Sequence, residues 1–258
     1  MSNEYIQISN LQLLFSVSLV LITGLISALL KLGLFKSLAW ATVRAFVQLT
    51  LIGYVLTYIL ELNNLVIIIL ILLIMCLIAS REASRRIKGT PFNAQLETFL
   101  SLTASSFIVG VIVVALIISP EPWYSAQVMI PIFGMLIGNS MNAVALSLER
   151  VYSEIETNTA QVEQLLAFGA TPWEAIRDHA RKAITAGMMP TINSLSVVGL
   201  VSLPGMMTGQ ILAGMNPVSA VRYQFVVMVM IAAAVAIGCL AIIGLAYKKM
   251  FNQDQALG

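Results

Sequence analysis

Charge is what this sequence has least of. Only 10% of its 258 residues are Asp, Glu, Lys or Arg, against 59% hydrophobic residues, and the mean hydropathy is +0.92. A soluble domain carries about a quarter charged residues. So few charges cannot cover a water-facing surface, which makes lipid the solvent for much of the chain. The two cysteines, Cys76 and Cys239, both lie inside apolar runs, which excludes a disulfide framework and a Cys-x-x-Cys metal pair. The single histidine, His179, reads as a surface residue rather than a ligand. No G-x4-G-K-[ST] phosphate loop occurs, since Lys88-Gly89-Thr90 has the wrong order, so this chain is not expected to hold ATP itself. A paired aspartate, a Ser/His pair and H-E-x-x-H are equally missing, which argues against an enzyme. No apolar run has Asp or Glu in its interior, since Glu97 and Glu149 sit at run ends. A proton-coupled carrier, which relies on such a carboxylate, is therefore disfavoured. The net charge of +2 gives no reason to expect nucleic acid.

What is present is a series of apolar runs about 20 residues long, the length a helix needs to cross about 30 Å of hydrocarbon. They are Leu11–Leu30, Leu38–Leu60, Leu65–Ala79, Phe99–Ile118, Ala126–Leu148, Ala186–Ala213 and Phe225–Tyr247. Continuous rather than alternating apolarity selects helices over a barrel. The expectation is an all-α, polytopic integral membrane protein of about seven transmembrane helices, forming a single domain over residues 1–258. The first run lacks a basic leader and a small-residue cleavage site, so it reads as a span rather than a signal peptide.

Basic residues orient these spans. With the amino terminus outside and the carboxyl terminus cytoplasmic, the inner segments hold Lys31, Lys36, Arg81, Arg85, Arg86, Lys88, Arg150, Arg177, Arg181, Lys182, Lys248 and Lys249. Arg222 falls outside and Arg44 within the second span. The outer connections carry Glu61, Pro120-Glu121-Pro122-Trp123 and Asn216-Pro217.

Residues Glu149 to Lys182 form the one long polar connection, on the cytoplasmic side. Leu165, Leu166 and Phe168 recur at helical spacing, so a short amphipathic helix is expected. Gly169 is placed to stop it. Thr171 is placed to cap a second helix with Pro172 at its first position, and Glu174 completes a Thr-x-x-Glu capping box. This helix, glycine break and helix is either an ordinary connection or an element on which another protein pushes.

Glu163 and Gly169, spaced E-x5-G with Ala167 and Ala170 beside the glycine, resemble the first half of the cytoplasmic EAA signature of ATP-binding-cassette permeases. The second half departs, since Pro190 comes later than that pattern asks. Longer strings carry a closer resemblance: VRAFVQLTLIGYVL (43–56), IPIFGMLIGNSMNA (130–143), EQLLAFGATPWEA (163–175) and VGLVSLPGMMTGQILAGMNPVSAVRYQ (198–224). From about Ala39 to Tyr247 the chain resembles the Fet-type iron-exporter family of ABC permeases, which has plant relatives linked to aluminium tolerance. The resemblance implies two copies of this chain with two ATPase subunits that bind ATP and Mg, and no cofactor on this chain. It implies a docking element at Glu163, Leu165, Leu166, Ala167, Gly169, Ala170, Thr171 and Pro172. Iron as cargo enters only through this resemblance. The alternatives are an organic or nucleotide-sugar substrate in the same machine, or a channel independent of ATPase.

Polar groups at membrane depth are costly, so each is a candidate for function. Arg44 lies about two turns inside the second span with Gln48 at i+4. It either snorkels to the inner headgroups or pairs inside the protein. Asn139 and Asn142 are expected near the middle of the fifth span, bonding a neighbouring helix or lining a pathway. Gly134-x3-Gly138 and Gly205-x3-Gly209 fit close helix packing. Pro204-Gly205 is expected to break the sixth span, and broken helices build transporter sites. Met206, Met207 and Gln210 beside it complete the expected pathway. The methionines of the fifth and sixth spans are either apolar filler or soft-ion donors.

Overall fold

A computed structural model describes residues 9–86 and 93–252. Among these residues every named element is helical, and an isolated bridge pairs Val198 with Ser202. The helices are α1 (Asn10–Leu29), α2 (Phe35–Leu62), α3 (Leu65–Arg86), α4 (Gln95–Ile112), α5 (Ala126–Thr157), α6 (Thr159–Ala167), α7 (Pro172–Val197), α8 (Gly205–Leu212) and α9 (Pro217–Ala246). A π-helical turn, Val113–Ile118, prolongs α4, and a 3-10 turn, Tyr247–Met250, prolongs α9. Lys88, assigned above to the cytoplasmic side, lies outside the described residues.

Six of these helical stretches are long and apolar enough to cross a membrane: Leu11–Leu29, Phe35–Leu62, Leu65–Arg86, Gln95–Ile118, Ala126–Thr157 and Pro217–Met250. The chain is thus an all-helical, multi-pass membrane protein. The sixth expected span, 186–213, is not one helix. It is divided among the second half of α7, a seven-residue break at 198–204, and α8.

Contacts within the chain gather into two compact units. The first consists of residues up to Leu62 together with 212–214. In it α1 and α2 form a hairpin. The buried Ser27 hydroxyl accepts a hydrogen bond from the Leu34 amide at 3.0 Å, and the Phe35 ring lies where Gly24 has no side chain. Almost every large apolar side chain of this hairpin is exposed, as Trp40 and Tyr54 are.

The second unit, residues 63–211 and 215 onward, contains the core. Its centre is α5, which packs on α3, α4, α7 and α9. Phe133 of α5 is fully buried, meets Phe107 edge to face at 5.2 Å, and occupies the space left by Gly110. Buried serines, Ser101, Ser105 and Ser106 on α4 with Ser140 and Ser147 on α5, let the helices approach closely. The tightest approach is at Gly187 of α7, where an added Cβ would lie 2.8 Å from the Ala143 carbonyl and against the Ser147 hydroxyl. The expected glycine motifs do not serve this role within the chain. Gly134 has only an ordinary 3.5 Å contact with Met75, and Gly138, Gly205 and Gly209 have open space where a Cβ would point. Spacing alone picks glycines on one face of a helix. It does not say whether a neighbouring helix lies against that face.

Candidate functional site

Two features of the second unit stand out, an open cavity and a surface hairpin. The cavity has a volume of about 440 Å³ and is walled by α5, α7, α9, the break and the start of α8. Its α5 wall is Met135, Asn139, Asn142 and Leu146, spaced along one helix face. Its α7 wall includes Gly187, Pro190 and Ser194. Pro190 lies inside α7, where it donates no hydrogen bond and leaves the carbonyl four residues back without its helical partner.

The break begins where α7 ends at Val197. Gly199 follows with φ +81°, a left-handed conformation that glycine adopts freely. Its amide donates to the Ser202 carbonyl at 2.9 Å and closes a tight loop, whose tip, Leu200 and Val201, is 89% and 82% exposed. Pro204 therefore does not kink a helix, contrary to expectation. The chain has already turned at Gly199, and Pro204 directly precedes α8, where a missing N–H costs nothing. Pro204, Gly205 and Met206 do line the cavity, whereas Met207 and Gln210 are not among its lining residues.

Asn142 is tied to Arg86, whose Nη1 donates to its Oδ1 at 2.9 Å. Arg86 stands in the basic last turn of α3. This amide is thus within reach of the basic end of the helices rather than at mid-span. The Asn139 amide group donates to the Met135 carbonyl of its own helix at 2.8 Å. Gln224, which the sequence reading missed, lines the cavity from α9 while buried, and its Oε1 has no hydrogen-bond partner. It was missed because the seventh run was taken to begin at Phe225, whereas α9 starts at Pro217. An amide two turns inside an apolar helix is the signal that would have found it. Arg44 and Gln48 belong to the first unit. Both are exposed, and Gln48 lies in a shallow groove on α2 with Leu49 and Ile52.

The hairpin is built as the sequence predicts. Helix α6 ends at Ala167, Gly169 takes φ +90°, its amide donates to the Leu166 carbonyl at 2.9 Å, and the Ala170 amide donates to the Leu165 carbonyl at 3.0 Å. These two bonds and the left-handed glycine make a Schellman ending. Thr171 then caps α7. Its amide donates to Glu174 Oε2 at 2.8 Å, and its Oγ1 accepts from the Glu174 amide at 3.4 Å, with Pro172 at the first helical position. The Thr171 backbone and hydroxyl donors hold the Glu174 carboxyl below the usual carboxylate range. Between the two helices Phe168 projects at 81% exposure, with Glu163, Leu165 and Ala167 also exposed, while Val162 anchors α6 from beneath.

Two contacts fix this hairpin to the rest of the unit. Trp173 meets Tyr247, at the end of α9, edge to face at 5.4 Å. Glu154 of α5 takes Arg150 at 2.6 Å, Lys182 at 3.1 Å and His179 Nδ1 at 3.5 Å. His179 is accordingly buried, not the surface histidine expected, because α7 turns it towards α5 and a carboxylate 25 positions earlier. Nearby, Lys249 forms an ion pair with the buried Glu97 of α4.

Comparison with known proteins covers nearly the whole chain. Residues 10–251 match the model of a family described as Uncharacterised protein family (UPF0014). A UPF0014 membrane protein of Synechocystis is 41% identical over 88% of this chain and 87% of its own length. The Escherichia coli protein named Probable iron export permease protein FetB is 35% identical over 97% of this chain and 95% of its own. Protein ALUMINUM SENSITIVE 3 of Arabidopsis thaliana is 32% identical over 92% of this chain and 86% of its own. No solved structure matches the chain.

Proposed function

The chain belongs to the UPF0014 family of membrane proteins, and on that premise we propose that it is the membrane-spanning subunit of an ATP-binding-cassette exporter for a metal cargo. Iron is the leading cargo, by likeness to the relative named as an iron export permease. The observation that carries the coupling part of this reading is the α6–α7 hairpin. An exposed aromatic, Phe168, stands on a glycine-stopped and capped turn, which is a rigid presentation of an apolar side chain to a partner. The partner is an ATPase subunit that holds ATP and Mg. Two such subunits would serve two copies of this chain, whose broadly exposed apolar helices supply surface for lipid and for each other. The distribution of basic residues supports an amino terminus outside and, after the five spans from α1 to α5, a hairpin facing the cytoplasm. The cavity beside the break is the stretch of path that the cargo crosses.

The test is co-expression with a Walker-motif ATPase, followed by affinity purification of this chain and metal export from the cells that carry both. The expected result is a stable complex and ATP-dependent export. Gly169→Leu should abolish both complex and export without reducing membrane insertion, because leucine disfavours the left-handed turn that presents Phe168. Export that persists with no ATPase bound would reject the coupling role.

A further inference from the structure

The donors around the cavity are soft and neutral. None of its lining residues is Asp, Glu, His or Cys. Among the described residues, no group of three or more such side chains could hold a metal ion. A hard cation such as ferric iron favours carboxylate and other oxygen donors, and stripping water from a multiply charged ion in an uncharged site is very costly. What the walls do offer is sulfur. Met135 comes from α5, Met228 from α9 and Met206 from the start of α8, so three thioethers from three separate elements line one cavity. All three residues are half-buried, neither sealed into the core nor fully exposed.

Contacts deeper in the unit set their levels. An added Cβ on Gly238 of α9 would lie 3.2 Å from Val144 of α5, so these two residues are at one level. Met135 precedes Val144 by nine residues, and Met228 precedes Gly238 by ten. With a rise of about 1.5 Å per residue they stand about 13.5 and 15 Å from that contact, on the side where both line the cavity. Gly187 of α7 meets Ala143 and Cys239 beside the same contact. Val198, eleven residues further along α7 and also a lining residue, is therefore about 16 Å away, level with the two methionines. The bridge from Val198 to Ser202 keeps the break compact, and Met206 follows four residues later. The three methionines thus gather towards the end of the cavity remote from Gly187.

Methionine suits a mobile metal site. Its unbranched chain has three rotatable bonds and can swing a polarizable sulfur into open space. Thioethers are soft, uncharged ligands that select ions such as Cu(I), and a singly charged ion loses least hydration on entering a neutral site. We propose that Met135, Met206 and Met228 form a binding site for a soft monovalent cation, of the Cu(I) and Ag(I) class, which the permease carries as a cargo class distinct from iron. The ion exchanges water for thioether sulfur, with no redox step. This rests on the reading of the cavity as part of the permease path.

The experiment uses the purified permease–ATPase complex and silver(I) in chloride-free buffer. Cys76→Ala and Cys239→Ala remove the two buried thiols that would compete for silver. Equilibrium dialysis should then show saturable silver(I) binding, and X-ray absorption at the silver edge should show sulfur neighbours. Met135→Leu, Met206→Leu and Met228→Leu keep the volume and remove the donor, and each should weaken binding by at least about tenfold. Met189→Leu, at an exposed methionine of α7 outside the lining, should leave binding unchanged. Equal binding in wild type and all three lining variants would overturn the inference, as would ferrous ion binding more tightly than silver(I). The absorption measurement needs no methionine variant, so silver(I) with only oxygen or nitrogen neighbours would overturn it even where a variant fails to fold. ATP-driven iron export without silver(I) binding would overturn it too, and leave the permease reading standing. Thioether-bound silver(I) with no ATP-driven flux of any metal into inside-out vesicles would sink the permease reading and leave the thioether site standing.

Discussion

Arg86 and Asn142 are 56 residues apart in sequence, yet the guanidinium of one donates to the side-chain carbonyl of the other at 2.9 Å. The bond joins the last turn of α3 to the middle of α5, and it brings a fixed positive charge to the edge of the cavity. Neither residue announces this in sequence. Arg86 reads as one of several basic residues ending a span, and Asn142 as an amide in an apolar run.

Topology is open to direct labelling. Single cysteines at Glu121 and Phe168 should divide, with Glu121→Cys reacting with an impermeant maleimide on intact cells and Phe168→Cys only after permeabilisation. The native Cys76 and Cys239 are buried, so background labelling is expected to be low. The reverse pattern would invert the orientation and move the hairpin to the outer face.

Acid should loosen the hairpin in a definite direction. The donors of Thr171 lower the folded-state carboxyl of Glu174. A depressed carboxyl contributes stability above its unfolded value, about 4.3 for Glu, and loses it as pH falls through the folded value. Complex formation with the ATPase should therefore weaken on acidification below about pH 4 in the wild type. Glu174→Gln should remove that component of the pH dependence. An identical acid profile in the variant would show that this capping box does not set it.

Helix packing can be tested with two glycines that look alike in sequence. Gly187→Ala forces a methyl against the Ala143 carbonyl and the Ser147 hydroxyl, and should cost about 1–3 kcal/mol in unfolding measured in detergent. Gly138→Ala meets open space in a helix and should be neutral or stabilise by about 0.5–1 kcal/mol. Equal effects at the two positions would contradict the packing described.

The break gives a similar pair. Pro204→Ala should leave the loop in place, since the chain turns at Gly199 before it reaches Pro204. Gly199→Val should be the damaging change, because a β-branched residue at φ +81° is strained by about 1–3 kcal/mol. Export lost in the Pro204 variant and kept in the Gly199 variant would return the hinge to Pro204.

What could be read from sequence was set by distance along the chain. The Schellman stop at Gly169 and the capping box from Thr171 to Glu174 involve residues within five positions, and sequence spacing specifies them fully. The apolar runs located six of the spans, because length and composition alone define them, with ends misplaced by up to nine residues, as at Leu148 against Thr157. The sixth run failed because Gly199, not Pro204, sets the turn, and a left-handed residue leaves no mark in an apolar count. The burial of His179 depends on Glu154 of another helix, and the cavity on four separate segments meeting. Of the expected pathway residues, Asn139, Asn142, Pro204, Gly205 and Met206 gather at the cavity, while Arg44 and Gln48 belong to a separate unit.

Helix α7 runs unbroken from its Thr171 cap at the hairpin to Val197 at the mouth of the break. At 26 residues it is a rod of about 39 Å, and Gly187, Pro190 and Ser194 near its far end are cavity wall. If the proposed ATPase docks at Phe168, its push needs no chain of rearranging side chains to reach the cavity wall. α7 would then carry the push as an oar carries a stroke from handle to blade, with the tight fit of Gly187 against α5 as its rowlock and Pro190, short of one helical hydrogen bond, as the place where the blade can flex.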